Sequence, residues 1–456
     1  MSEKKPAAKA NGAKKAAVAK SYDYLIIGNS AAGVAAAEAI RAYDAKGTLC
    51  MVSNETHHAY STPLISYLIK GVTTESRMQL RDDGFYTRER IDCRFGVSAE
   101  KLDAQAKTVT LEDGSAIGYG KVLFATGSTP SRLSVKELEG RKNVFSFLTL
   151  DDAHAIAARA DECMDRPHES ALQPVRAVIV GAGLIGLKAA EGLVDRVDEV
   201  VVLVRSARIL RTTVDEDASR MLIRQLARRG VRILTDVEIA SASGKGGNVD
   251  EVALSDGSKL ECALVIVAPG VKPNDMMVTE AGAQAGKGLV CGTDMQTTLP
   301  DVYAAGDCTQ SYDVLNDIER CLAIWPNAVA QGRVAGACMA GGDAEFEGGF
   351  GVNAFGFFGS SVLTCGVVNP DESFETMVFE EEDRYRKFVF KDNRLFGYIL
   401  VNAPENAGVY TMLIRDRVPV NQLAAGTFER GISFTDLPYA LRDAMLHKGM
   451  GGKEAC

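Results

Sequence analysis

Two stretches decide the fold: Tyr24–Gly33, reading YLIIGNSAAG, and Ala177–Gly186, reading AVIVGAGLIG. Each is an apolar run that closes on a glycine-rich turn and opens into small, helix-forming residues. Strand, tight turn and helix in that order form the first step of a dinucleotide-binding βαβ unit. Ser21–Ile27 is therefore expected as a strand and Ala31–Tyr43 as a helix. Gly28 permits the turn, and Gly33 lets the helix lie close on the strand. Ser30 stands in place of the usual middle glycine, and with Ala32 it is small enough for a pyrophosphate to reach the backbone. In the second stretch Gly181, Gly183 and Gly186 fill all three positions. At both turns the free N–H groups and the dipole of the helix N-terminus favour a bound anion.

The residues after each turn refine this reading. Leu49–Val52 is the next strand after the first turn, and Glu55 lies just beyond it. An acid about twenty residues past such a turn accepts from a ribose hydroxyl, which is the role read for Glu55; the alternative is a solvated loop charge. After the second turn a helix runs through Val194 and Val200–Val204 is the following strand. NAD-selective units end this strand in Asp or Glu. Here the sequence continues Val204-Arg205-Ser206-Ala207-Arg208-Ile209-Leu210-Arg211, without an acid.

The 456 residues, 46% apolar and 24% charged, suffice for two or three domains with their own cores. No uncharged apolar run is long enough for a membrane span. The ten cysteines are scattered, with no C-x-x-C pair and no ferredoxin-like run. They read as reduced core thiols of a cytoplasmic protein. Residues 1–20 hold six lysines among alanines and one glutamate, a composition expected to stay disordered. With no apolar stretch after the lysines this is a poor secretory signal. It reads as a solvated tail or as an arm for an acidic partner. Without it the formal charge falls from −9 to −14, which argues against nucleic-acid binding.

Two more ordered segments accompany the fingerprints. VLFATGSTP (Val122–Pro130) ends a strand at Thr126-Gly127, and LPDVYAAGDCT (Leu299–Thr309) ends one at Gly306-Asp307. Together the four motifs resemble the FAD-dependent pyridine nucleotide oxidoreductases of the glutathione-reductase fold, over Tyr22 to Arg417. The resemblance implies an α/β chain of two Rossmann-like dinucleotide-binding domains, one for FAD and one for NAD(P), plus an α+β C-terminal interface domain. It implies that Asp307 meets the flavin ribityl chain, and that Ile324–Gly332, with Ala328, opens a helix at the pyrimidine end of the flavin. Pro63, Val97, Thr126, Gly127, Gly270 and Gly306 join the cofactor-binding set on the same ground. Arg205 and Arg211 look like the arginines that hold the 2′-phosphate in NADPH-using glutathione reductases, a task suited to a planar, bidentate guanidinium. Gly186 is the glycine commoner in NAD-type loops, so the reading favours NADPH or use of both nucleotides. Lys188 occupies a position where many relatives carry a glutamate near the nicotinamide, and is read either in that light or as a surface lysine.

Disulfide-reducing relatives place a cysteine on the segment matching His57–Gly71, and none occurs here between Cys50 and Cys93. Thiol–disulfide exchange needs a thiolate, so disulfide reduction is disfavoured. The run Tyr60–Ser66 is more similar to rubredoxin reductases, cysteine-free NADH oxidases and nitrite reductase flavoproteins. His57 and His58 read as loop histidines, with no third metal ligand at suitable spacing. The expected activity is FAD-dependent NAD(P)H:acceptor oxidoreduction, with hydride passing from nicotinamide to flavin and no side-chain acid or base required. The acceptor is expected to be a separate iron–sulfur or rubredoxin-type protein; a small molecule such as dioxygen or a quinone is the alternative within the class. A slow-turnover flavoprotein subunit for assembly or redox sensing is the reading from a different class.

The flavin domain is expected in two pieces, 21–150 and 293–341, with the nicotinamide domain inserted over 151–292. Asp161–Pro174 reads as a connecting loop. Asp113-Gly114 and Asp256-Gly257 each read as hairpin turns. Residues 342–456 form the C-terminal domain, with a hairpin around Lys391–Arg394, a helix over Asn406–Arg417, and a role in homodimer formation.

Overall fold

The structure, a computed structural model, describes residues 18–131, 133–165 and 174–448. The expected tail therefore lies outside the described residues up to position 17. Its last three residues do not continue it: the first strand begins at Val18 rather than Ser21 and runs to Ile27. Val18–Tyr22 pairs with Ala116–Tyr119, and the Lys20 ammonium lies 2.7 Å from Asp92. Backbone pairing thus recruits residues that composition alone assigns to solvent.

The first sheet orders its strands Ile91–Phe95, Leu49–Ser53, Val18–Ile27, Ala116–Phe124, Thr108–Leu111, Ala99–Asp103. Val302–Ala304 returns from far along the chain to pair in parallel with Val122–Phe124. The central strand Leu49–Ser53 is buried on both faces, which explains its run with no polar alternation. Helix α1 (Ala31–Tyr43) covers one face. The second sheet orders Val231–Thr235, Glu199–Val204, Arg176–Val180, Leu264–Val267, Val144–Phe145, all parallel. It thus takes an edge strand from before residue 151. Between them, helix α2 (Ile65–Ile69) belongs to the first unit, and α3 (Leu150–Met164) leads into the second. The expected connecting loop starts inside α3, which is capped by Thr149 and Asp152 in a reciprocal box and continues through Met164. The rest of that loop, 166–173, lies outside the described residues.

Helix α4 (Leu184–Leu193) follows the second turn, and α5 (Trp325–Met339) packs on α1. A Cβ on Gly332 would fall 2.2 Å from Ala32 O, and one on Gly336 2.3 Å from Ala36 O. The contact therefore exists only because both positions are glycine. The Asp113-Gly114 and Asp256-Gly257 turns each close an antiparallel excursion. The C-terminal sheet is antiparallel, in the order Val352–Phe357, Ser360–Gly366, Arg394–Val401, Tyr385–Lys391, Glu375–Glu380. Its hairpin turns at Asp392 and Asn393, both with positive φ, and helix α6 (Ala407–Arg415) follows. One continuous core joins α2, α3, α4, the second sheet and Phe357, Val362 and Tyr385 of the C-terminal sheet. No described helix is long and apolar enough to cross a membrane.

Candidate two-cofactor site

Both fingerprint turns are fixed by backbone crowding. Gly28 has φ +121°, and a Cβ there would sit 2.1 Å from Ala125 O; Gly181 has φ +106° and the same relation, 2.2 Å, to Ala268 O. Cβ atoms on Gly33 and Gly186 would lie 2.1 and 1.9 Å from the carbonyls of Gly28 and Gly181. These glycines serve the turn itself. Gly183 is different: nothing lies within 4 Å of where its Cβ would be. Neither Ser30, the N-cap of α1, nor Gly183, the N-cap of α4, gives a side-chain hydrogen bond to its helix. The first-turn N–H groups are left without a side-chain cap, as a pyrophosphate site requires.

Asp307 supplies the second test of fit. Burial pushes its carboxyl up from the ordinary carboxylate range, and among the described residues the side-chain contact that opposes this is Ser128 Oγ at 3.4 Å. A partly buried carboxylate so poorly satisfied suits a ligand hydroxyl donating to it. The turn that carries it is held by Gln331 of α5, whose Oε1 accepts from Gly306 N at 2.8 Å and from Thr309 Oγ1 at 3.3 Å. Thr126 and Gly127 stand beside the crossing between the two units. Thr126 Oγ1 donates to Asn274 O at 2.9 Å, Asn274 Nδ2 donates back to Thr126 O at 2.7 Å, and Asn274 N donates to Gly127 O at 3.0 Å. Gly270, with φ +140°, lies just before the return strand of that crossing, where Ser128–Pro130 pairs with Val271–Pro273, and its carbonyl accepts from Ser131 N at 2.8 Å. Ala32 and Ala328 are both buried at the α1–α5 contact, Val97 is half-buried with its N–H on Ser53 O, and Pro63 is exposed at the start of a short turn before α2.

The loop after the second strand is tied to the first turn by tyrosines that the motif reading did not select. Tyr86 OH donates to Asn29 Oδ1 at 2.8 Å and accepts from Ala59 N at 3.0 Å, while Asn29 Nδ2 donates to His57 O at 3.2 Å. Tyr60 OH donates to Glu55 Oε2 at 2.7 Å. His57 pairs with Asp151 and His154 with Glu75, at 2.9 and 3.0 Å. Beyond the second turn and its following strand, Arg205 and Arg211 are exposed. Their neighbour Arg208 reaches Asn369 Oδ1 at 3.2 Å.

Lys188 is no surface lysine: only 16% of its side chain is exposed. It pairs with Glu191, itself 6% exposed, donates to Gly356 O at 3.0 Å and lies 4.0 Å from the Tyr67 ring centroid. Glu191 Oε1 in turn accepts from Phe358 N at 2.9 Å. The ammonium thus joins α4, α2 and the C-terminal sheet. Its signal was invisible in sequence because Gly356 is 168 positions away.

No cysteine lies on the α2 segment, and burial raises the thiols elsewhere: Cys308 and Cys93 to about 11, Cys50, Cys262 and Cys365 to about 12. Burial thus disfavours the thiolate form that disulfide exchange needs at each of these positions.

Residues 22–332 match the family model described as pyridine nucleotide-disulphide oxidoreductase. The chain belongs to that family. Like its other members it is an FAD-dependent oxidoreductase that uses NAD(P)H, built on the α/β scaffold described above. Residues 352–418 match a second model, the rubredoxin NAD+ reductase C-terminal domain. The chain is 32% identical over 419 residues to the NADH-dependent phenylglyoxylate dehydrogenase subunit epsilon of Aromatoleum evansii, covering 88% of this chain and 96% of that one. It is 27% identical over 384 residues to the assimilatory nitrate reductase electron transfer subunit of Bacillus subtilis; this is 84% of the present chain but 48% of that relative, about half its length. Among solved structures, an engineered water-forming NADPH oxidase bound to NADPH superimposes with a TM-score of 0.79 at 18% identity, over 94% of this chain and 98% of that one.

Proposed function

We propose that this chain takes hydride from NADPH, and less readily from NADH, and delivers electrons to an iron–sulfur or rubredoxin-type protein on a separate polypeptide. The observation that carries the proposal is the thiol-free α2 segment in a chain whose C-terminal domain matches that of rubredoxin reductases. A disulfide relay has no nucleophile there, so the electrons must leave by another route. The phenylglyoxylate dehydrogenase relative is itself named as a subunit, which favours a protein acceptor. When bound, FAD links the two-electron donor to a one-electron acceptor. The protein's part is to hold and orient. Gly28, Ser30, Ala32 and Gly33 would seat the flavin pyrophosphate, with Glu55 on the adenosine ribose and Asp307 on the ribityl chain. Gly181, Gly183 and Gly186 would seat the nicotinamide pyrophosphate.

The choice of nucleotide rests on Arg205, Ser206 and Arg211. The NADPH oxidase named above was engineered with introduced arginine, serine and arginine in the same spacing, and with an acid replaced just before the first arginine, where Val204 stands here. That oxidase also received an alanine nineteen positions before its first arginine, where this chain keeps Gly186, which accords with retained use of NADH. The C-terminal sheet is proposed to support a homodimer, and the free thiols of the described residues suit a cytoplasmic setting.

The test is anaerobic: FAD-loaded protein is mixed with NADPH and then with a rubredoxin or a ferredoxin, and acceptor bleaching is followed. Rapid catalytic bleaching is expected. Flavin reduction without acceptor reduction, together with fast dioxygen consumption in air, would instead favour an oxidase; reduction taking minutes would favour the sensing subunit. Comparing kcat/KM for NADPH and NADH in wild type and Arg205→Glu tests the nucleotide. An unchanged ratio removes Arg205 from the 2′-phosphate site.

A further inference from the structure

The geometry points to Tyr60 as a positioning residue that fixes which oxygen of Glu55 is offered to the adenosine ribose of FAD, and that ties this contact to the helix entering the nicotinamide domain. The inference deepens the ribose role proposed for Glu55 and rests on it. Tyr60 is 8% exposed, and its hydroxyl has two partners. It accepts from Leu150 N at 2.8 Å, the first residue of α3, and it donates to Glu55 Oε2 at 2.7 Å. A phenol carries one proton. Because a backbone N–H already points at its oxygen, the proton's partner at this site is the Glu55 carboxylate. Burial keeps the phenol well above the ordinary tyrosine value, so it remains a donor throughout the working pH range.

The consequence for Glu55 is directional. Its Oε2 is taken by Tyr60, and its backbone is pinned by Gly96 N donating to Glu55 O at 3.1 Å and Glu55 N donating to Ser53 Oγ at 3.2 Å. Oε1, which has no hydrogen-bond partner among the described residues, is the oxygen presented to a ligand hydroxyl. A carboxylate held in one orientation loses less side-chain entropy on binding than one free to rotate. The same phenol caps a free N–H in the first turn of α3, beside the Thr149 cap, so the adenosine end of the flavin site and the entry to the nicotinamide unit share one hydroxyl.

The test compares FAD with an FAD analogue lacking the adenosine 2′-hydroxyl, bound to apoprotein and read by flavin fluorescence quenching. Wild type should prefer FAD by roughly tenfold, the size of one hydrogen bond to a charged group. Glu55→Ala should abolish the preference. Tyr60→Phe should cut it to about threefold or less while weakening the analogue little. If Tyr60→Phe weakens both ligands by the same factor, Tyr60 is merely structural and the inference is overturned, with Glu55 untouched. If wild type itself shows no preference, the ribose role of Glu55 fails and the inference falls with it. Should Tyr60→Phe not fold, replacing Tyr60 by 3-fluorotyrosine keeps shape and hydroxyl but sharpens the donor. A changed preference for FAD over the analogue supports the inference, and an unchanged preference overturns it.

Discussion

Replacing Lys188 by methionine removes the cation from a nearly dry junction and leaves the Glu191 carboxylate with Phe358 N as its remaining partner. Breaking one side of a buried ion pair costs about 3–5 kcal/mol. Lys188 keeps 16% of its side chain in contact with solvent, so water offsets part of this and the lower end, about 3 kcal/mol, is expected. Replacing both partners, Lys188→Met with Glu191→Leu, removes the stranded charge. That double variant should return to within about 1 kcal/mol of wild type, because apolar replacements of buried pairs are often neutral. The assay is thermal unfolding of the FAD-loaded protein together with hydrogen exchange at the Phe358 amide, which donates to Glu191. Faster exchange at that amide in Lys188→Met is expected, since its acceptor gains mobility. A single variant as stable as wild type, or a double variant as damaged as the single, would refute the reasoning.

The glycines of the second turn should separate by function. Gly183→Val should fold normally yet raise KM for NADPH by about tenfold or more, because its side chain enters the open space at the helix start; Gly186→Val should destabilise the nicotinamide unit by forcing α4 off Gly181 O, visible as a lowered thermal midpoint. Asp307→Asn should stabilise the apoprotein at neutral pH. The folded-state pKa of Asp307 is raised, so its ionised form opposes folding above that pKa, and the opposition fades as pH falls toward the unfolded carboxylate range. The stabilising effect of Asp307→Asn should therefore vanish on acidification, and a gain independent of pH would contradict it. Reduction of the flavin by NADPH should survive N-ethylmaleimide treatment, since Cys50 and Cys308 are fully buried and burial raises their thiols; inactivation that tracks alkylation would show otherwise.

Local chemistry carried much of this into the sequence. A glycine that must adopt positive φ, or accept a carbonyl 2.1 Å from its absent Cβ, leaves a signature that needs no partner to interpret, and Gly28, Gly33, Gly181 and Gly186 were legible for that reason. So were the hairpins at Asp113-Gly114, Asp256-Gly257 and Lys391–Arg394. The strand over Val18–Lys20 was not, because its lysine is neutralised by Asp92, seventy-two positions away. The expected loop at Asp161–Pro174 overlaps the last turn of α3, because the charged residues Asp161 and Glu162 that end the helix have the composition of a loop. Tyr60, Tyr86, Gln331 and Lys188 act through partners distant in the chain, and only their co-location reveals what they orient.

The measurement that bears most directly on the account is an anaerobic titration of the yellow, FAD-loaded protein with NADPH. One equivalent should discharge the flavin absorbance, with Asp307→Ala retaining less flavin and Arg211→Glu needing more NADPH. Apoprotein that takes up no FAD, or loaded protein whose colour persists through excess NADPH and NADH alike, would contradict the pairing of the two sites.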